Sequence, residues 1–124
     1  MAQIGYICIG TNNFDKAKAF YDALLGEIGG KPLMPTPPGM LYSVGKGAMM
    51  MLCRPHDGKA ATFGNGTMIA IQVDNKEQVA SMHAKVLALG GTNEGEPGPR
   101  GAFGDFSYAR DLDGNKLAFF FTGR

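Results

Sequence analysis

The chain has 124 residues, enough for one compact domain with a sizeable core. Its 44% apolar content argues against disorder, and a net charge of +1 with scattered Lys and Arg excludes a nucleic-acid footprint or a basic membrane face. The longest apolar runs, residues 48–53 and 117–121, are far too short to span a bilayer, and no leader pattern opens the chain, so the expected location is cytoplasmic.

Residues 3–10 are rich in Ile and alternate weakly, which predicts a strand. Asn12 or Asn13 is a good N-cap for a helix. Phe14, Ala17, Phe20, Tyr21, Leu24 and Leu25 recur at helical spacing, so that helix is expected from about Asn13 to about Leu25, ended by Gly26 and the Gly29-Gly30 pair. Three short strands come next, around Pro32–Pro35, Met40–Val44 and Ala48–Cys53. The Pro/Gly cluster at 35–39 makes the first turn, and Gly45-Lys46-Gly47 makes the second.

The stretch 54–66 is polar and Gly-rich and reads as a connection between two units. The first unit covers about 1–56, the linker about 57–66 and the second unit about 67–124. In the second unit a strand is expected over Thr67–Val73 and a helix from about Asn75 to about Leu89, burying Val79, Met82, Val86 and Leu89. Residues 90–104 read as a Gly/Pro-rich stretch. Strands near Phe106–Arg110 and Lys116–Thr122 close the chain, joined by Asp111-Leu112-Asp113-Gly114-Asn115.

The two units are copies of one pattern. Ile7 falls on Ile69, Ile9 on Ile71, Asn13 on Asn75, Phe20 on Met82 and Leu25 on Leu87 without a gap. Both copies close on a Gly pair, Gly29-Gly30 and Gly90-Gly91. A doubled strand-helix unit explains such a repeat. Because strand side chains alternate, Ile7, Ile9, Ile69 and Ile71 share a helix-packed face, while Tyr6, Cys8, Met68 and Ala70 share the opposite one. The fold class is therefore α+β: two tandem βαβββ modules forming one curved mixed sheet, with the helices on its convex side.

Cys8 and Cys53 have no C-x-x-C or zinc spacing and read as two reduced core thiols, with a nucleophilic Cys8 as the sharper alternative. His56 in the linker and His83 on the second helix read as surface or half-buried side chains. The Asp111–Asn115 phrase lacks the Gly and Glu of a calcium loop and reads as a turn between strands.

The module order, with residues 10–26 (GTNNFDKAKAFYDALLG) and 111–117 (DLDGNKL), resembles the vicinal oxygen chelate superfamily, which holds glyoxalase I, extradiol dioxygenases, fosfomycin-modifying enzymes and bleomycin-resistance proteins. The resemblance covers almost the whole chain. It implies a metal site with one His, Glu or Gln from each of four strands. Those positions fall here on Tyr6, Met50 (within one residue), Met68 and Ala118. None suits a hard or borderline divalent ion. The expectation is therefore no metal and no cofactor.

Removing the metal leaves an apolar lining on the concave side: Tyr6, Cys8, Met50, Leu52, Met68 and Ala118, with Phe106 and Tyr108 beside them. These residues line a pocket for a small hydrophobic or aromatic molecule, or else fill a second core or a dimer interface. The leading reading is a metal-independent small-molecule binder that forms a homodimer. The alternatives are a metal-free lyase or isomerase of glyoxalase type, using Tyr6 as acid and Arg100 as anion clamp, and a drug-sequestering resistance protein. Bleomycin-like drugs are cationic and call for an acidic groove, which this chain does not offer.

Overall fold

In a computed structural model, residues 1–123 are described. The chain divides into two compact units, Met1–Phe63 and Gly64 onward. Each is a βαβββ module with its own four-stranded mixed sheet.

In the first module, β1 (Tyr6–Gly10) leads into α1 (Phe14–Gly26), then β2 (Lys31–Pro35), β3 (Gly39–Ser43) and β4 (Met49–Cys53). The sheet order is β1-β4-β3-β2, with β1 parallel to β4 and the other pairs antiparallel. In the second module, β5 (Ile69–Gln72), α2 (Lys76–Ala88), β6 (Thr92–Pro99), β7 (Asp105–Arg110) and β8 (Lys116–Phe121) repeat the pattern in the order β5-β8-β7-β6. A short 3-10 turn, Gly101–Phe103, separates β6 from β7.

The helices begin where the sequence places them. Asn13 accepts from Lys16 N, and Asn75 accepts from Gln78 N, so each cap satisfies a backbone donor that the first turn leaves orphaned. The helices end at the repeated Gly pairs. Gly29 and Gly90 take positive φ, and the next N–H groups, on Gly30 and Gly91, return to Leu25 O and Val86 O at 2.8 and 2.9 Å. Gly30 and Gly91 then lie so close to the adjacent strand that a Cβ would meet Ser43 O at 2.6 Å or Arg110 O at 2.4 Å.

α1 buries Ala17, Phe20, Tyr21, Leu24 and Leu25 against Tyr42, Met50, Leu52 and Ile9. The Tyr42 hydroxyl donates to Asp22 Oδ1 at 2.7 Å, and Lys18 pairs with the same carboxylate. α2 buries Val79, Met82, His83 and Val86. Ser107 on β7 donates to Val79 O, and Leu117 and Phe119 lie on the same buried side of the sheet.

In the second module, the readings of the 90–104 stretch and of His83 need correction. The Gly/Pro-rich stretch after α2 contains β6, an edge strand whose pairing with β7 is broken by register shifts. An edge tolerates its prolines, because one side of the strand needs no donors. His83 is buried, not on the surface: its Nε2–H donates to Asn93 Oδ1 at 3.0 Å.

Candidate functional site

In each module, the sheet face opposite the helix is the one left for a ligand. Parallel pairing of β5 with β8 sets Ala70 beside Ala118 and Gln72 beside Phe120. Antiparallel pairing of β8 with β7 sets Ala118 beside Tyr108 and Phe120 beside Phe106. Alternation therefore gathers Met68, Ala70, Phe106, Tyr108, Ala118 and Phe120 on one face of the second module. Met68 remains 42% exposed, whereas Ala118 is fully covered and forms the floor rather than a contact surface.

The aromatic rings on this face form a ladder. Phe120 and Phe106 stack with centroids 5.2 Å apart at 11°, and Phe106 and Tyr108 with centroids 6.2 Å apart at 17°. Near-parallel rings at this spacing stack on one another, and being half-buried they leave apolar surface along this face uncovered. Lys116 Nζ stands over Tyr108 at 5.3 Å from the ring centroid, and Arg100 Cζ at 5.6 Å. Their roles differ. Arg100 spends its donors on Glu96 O at 2.6 Å, Gly98 O at 3.0 Å and Pro99 O at 3.3 Å, so it pins its own loop. Lys116 shares the ladder's face and is the better placed charge for an anion. Gly95 on β6 approaches Tyr108 so closely that a Cβ would lie 2.7 Å from the ring.

In the first module the register sets Tyr6 beside Met49, Ile7 beside Met50, Cys8 beside Met51 and Ile9 beside Leu52. Met50 and Leu52, expected in the lining, are therefore on the helix side and fully buried in the core. Met49 and Met51 share the outward face with Tyr6 and Cys8 instead. Tyr6 is 56% exposed. Neither thiol is a core residue: Cys8 is exposed and Cys53 half-buried. Burial, and then the neighbouring Cys8 thiol, push the Cys53 thiol above its ordinary range.

Sequence reasoning missed Lys116 and Phe120, although the signal is present. Counting two residues either way from Ala118 reaches both. Met49 and Met51 are displaced by a one-residue uncertainty across Met49-Met50-Met51, where composition cannot tell one face from the other.

The family model for the Glyoxalase/Bleomycin resistance protein/Dioxygenase superfamily matches residues 3–119. The chain belongs to this superfamily. A glyoxalase/bleomycin resistance protein from Albidiferax ferrireducens T118 is 33% identical with a TM-score of 0.86, over 95% of this chain and 97% of that one. A lactoylglutathione lyase from Agrobacterium tumefaciens has a TM-score of 0.73 at 18% identity, over 98% and 94% of the two chains. A fosfomycin resistance protein from Listeria monocytogenes has a TM-score of 0.74 at 17% identity, over 100% and 95%. The last two likenesses concern the fold alone. A comparison with curated proteins found no match.

The superfamily's metal centre does not fit these residues. The positions that the resemblance assigns to it hold Tyr6, Met68 and Ala118, with a methionine on β4 whichever of Met49, Met50 and Met51 is taken. Among the described residues, no three His, Cys, Asp or Glu side chains come together in a metal-holding group. Phenol, thioether and methyl groups are poor partners for a hard or borderline divalent ion. The Asp111 carboxylate is likewise occupied, accepting from Asp113 N, Asn115 N and Asn115 Nδ2, each at 2.9 Å. His56 is exposed, and no helix among the described residues is long and apolar enough to cross a membrane.

Proposed function

We propose that this superfamily member binds a small planar aromatic molecule, without a metal, on the strand face of its second module. The ring ladder Phe120–Phe106–Tyr108 carries the reading, because three stacked rings that stay half-buried leave aromatic surface for a guest to cover. Lys116 at the end of the ladder favours a ligand with a carboxylate or similar anionic group. A cationic drug would meet the wrong charge there, which disfavours the drug-sequestering reading.

A metal-free lyase or isomerase is the second reading. It rests on Tyr6, whose exposed phenol could serve as an acid. Arg100 does not support it, since its donors are engaged in its loop. The two thiols suit a reducing cytoplasm. The exposed Leu33-Met34 strip on edge strand β2 supports a homodimer.

Calorimetric titration with naphthoate and with neutral naphthalenemethanol tests the proposal. Both are expected to bind saturably, and Phe106→Ala to weaken both. Lys116→Met is expected to weaken naphthoate by about tenfold, or about 1.4 kcal/mol, and to leave naphthalenemethanol unchanged. Absence of saturable binding, or binding indifferent to Phe106→Ala, would refute the site.

A further inference from the structure

Asn65 and Gly66 form a turn at the start of the second unit, in the polar connection ahead of β5. Asn65 is exposed. Neither its side chain nor the Gly66 N–H makes a hydrogen bond among the described residues. Gly64 and Gly66 take positive φ, at 72° and 100°, and a Cβ built on Gly66 would meet nothing within 4 Å. The side-chain amide and the next backbone nitrogen thus lie in open space, with no side chain on Gly66 to keep them apart.

Every other asparagine is held, and each precedes a residue that carries a side chain. Asn12 exchanges hydrogen bonds with Ala61 N and O at 2.7 and 3.1 Å. Asn13 and Asn75 accept from Lys16 N and Gln78 N as helix caps. Asn93 accepts from His83 and Gly95 N, and Asn115 donates to Asp111. Two Asp-Gly pairs share the small neighbour, but their nitrogens are tied down: Gly58 N donates to Pro55 O and Gly114 N to Asp111 O, both at 3.1 Å. Only at Asn65-Gly66 are an unheld side chain and an unheld glycine nitrogen adjacent among the described residues.

We propose that Asn65-Gly66 is a site of spontaneous modification, at which water converts the Asn65 amide to a carboxylate. The Gly66 nitrogen gives its proton to a solvent base and attacks Asn65 Cγ. An N–Cγ bond forms, the Cγ–Nδ2 bond breaks, and ammonia leaves with the proton. Water then opens the five-membered imide at one carbonyl or the other, giving aspartate or isoaspartate, with no change in oxidation state. Either product adds a negative charge that cancels the net +1 of the chain. Isoaspartate also lengthens the backbone by one carbon where the second unit begins. This site is independent of the aromatic ligand.

The test is to hold the folded wild type at mildly alkaline pH and follow each asparagine peptide by mass spectrometry. The Asn65 peptide is expected to gain the mass of an amide turned into an acid first. Its rate should rise with pH, because the attacking nitrogen must lose a proton. Cleavage by a protease that cuts before aspartate but not isoaspartate should resolve two products. Asn65→Gln, which would need a larger ring, and Gly66→Ala, which places a Cβ beside the amide, should each slow the gain by about tenfold or more. Circular dichroism checks that both variants are folded. No gain at Asn65, an earlier gain at another asparagine, or a rate that neither variant lowers would overturn the proposal.

Discussion

Tyr42 shows how one residue ties strand to helix. Its ring is fully buried, and its hydroxyl reaches Asp22 Oδ1 at 2.7 Å and Lys18 O at 3.3 Å. Burial first, and then the Asp22 carboxylate, raise its pKa well above the ordinary 10.0. The folded state therefore holds the phenolic proton more tightly than the unfolded chain does. Its contribution is fully present below pH 10 and is lost as pH rises beyond that, by up to about 1.4 kcal/mol for each pH unit. Tyr42→Phe should cost about 1–3 kcal/mol at neutral pH by removing the charge-assisted hydrogen bond. Because the variant has no phenol to titrate, the gap between the two proteins should narrow above pH 10. Urea unfolding at pH 7, 9 and 10.5 measures it; a gap constant with pH would contradict the assigned cause. His83 is a second residue whose place has a local cause. The repeat that pairs Phe20 with Met82 also pairs Tyr21 with His83, so its burial was legible in the internal alignment. Its partner Asn93 was not, because Asn93 lies on a strand that the sequence did not reveal.

At the scale of elements, the helices were legible nearly to the residue. Asn13 and Asn75 are N-caps, and the Gly pairs are C-terminal stops, each with a local physical cause. β6 was hidden because TNEGEPGP has no alternation to read, and its register is imposed by β7. The strands β1 and β5 were read correctly as two-faced. β4 was not, since Met49-Met50-Met51 gives both faces the same residue type and only the pairing with β1 decides among them. The Gly pairs allow a direct check. Gly91→Ala would set a methyl against Arg110 O and Val86 Cγ1, both at 2.4 Å, and should destabilise by about 1–3 kcal/mol. Gly26→Ala, within the last turn of α1 and with nothing within 4 Å of the added Cβ, should instead stabilise by about 0.5–1 kcal/mol. Thermal unfolding of the two variants reads the opposite signs. A Gly91→Ala variant as stable as wild type would show that the closeness of the α2 C-terminus to β7 is not a constraint.

For the whole molecule, the repeat and the two motif phrases pointed to the superfamily, and the family match and shared fold establish it. What the scaffold does was less legible, because the fold hosts many chemistries and function lies in the residues grafted onto it. Our proposal places that function on the aromatic ladder beside Lys116. The central claim is that no hard or borderline divalent ion works here. Its most direct test is the melting temperature of metal-stripped Cys8→Ser/Cys53→Ser protein with Ni, Co, Mn or Fe(II) added singly, the two substitutions removing any thiol binding. An ion bound by the native state must raise the melting temperature by mass action. The account predicts no saturable shift with any of the four. A saturable rise with one of them would contradict it and return the chain to the metal-dependent members of its superfamily.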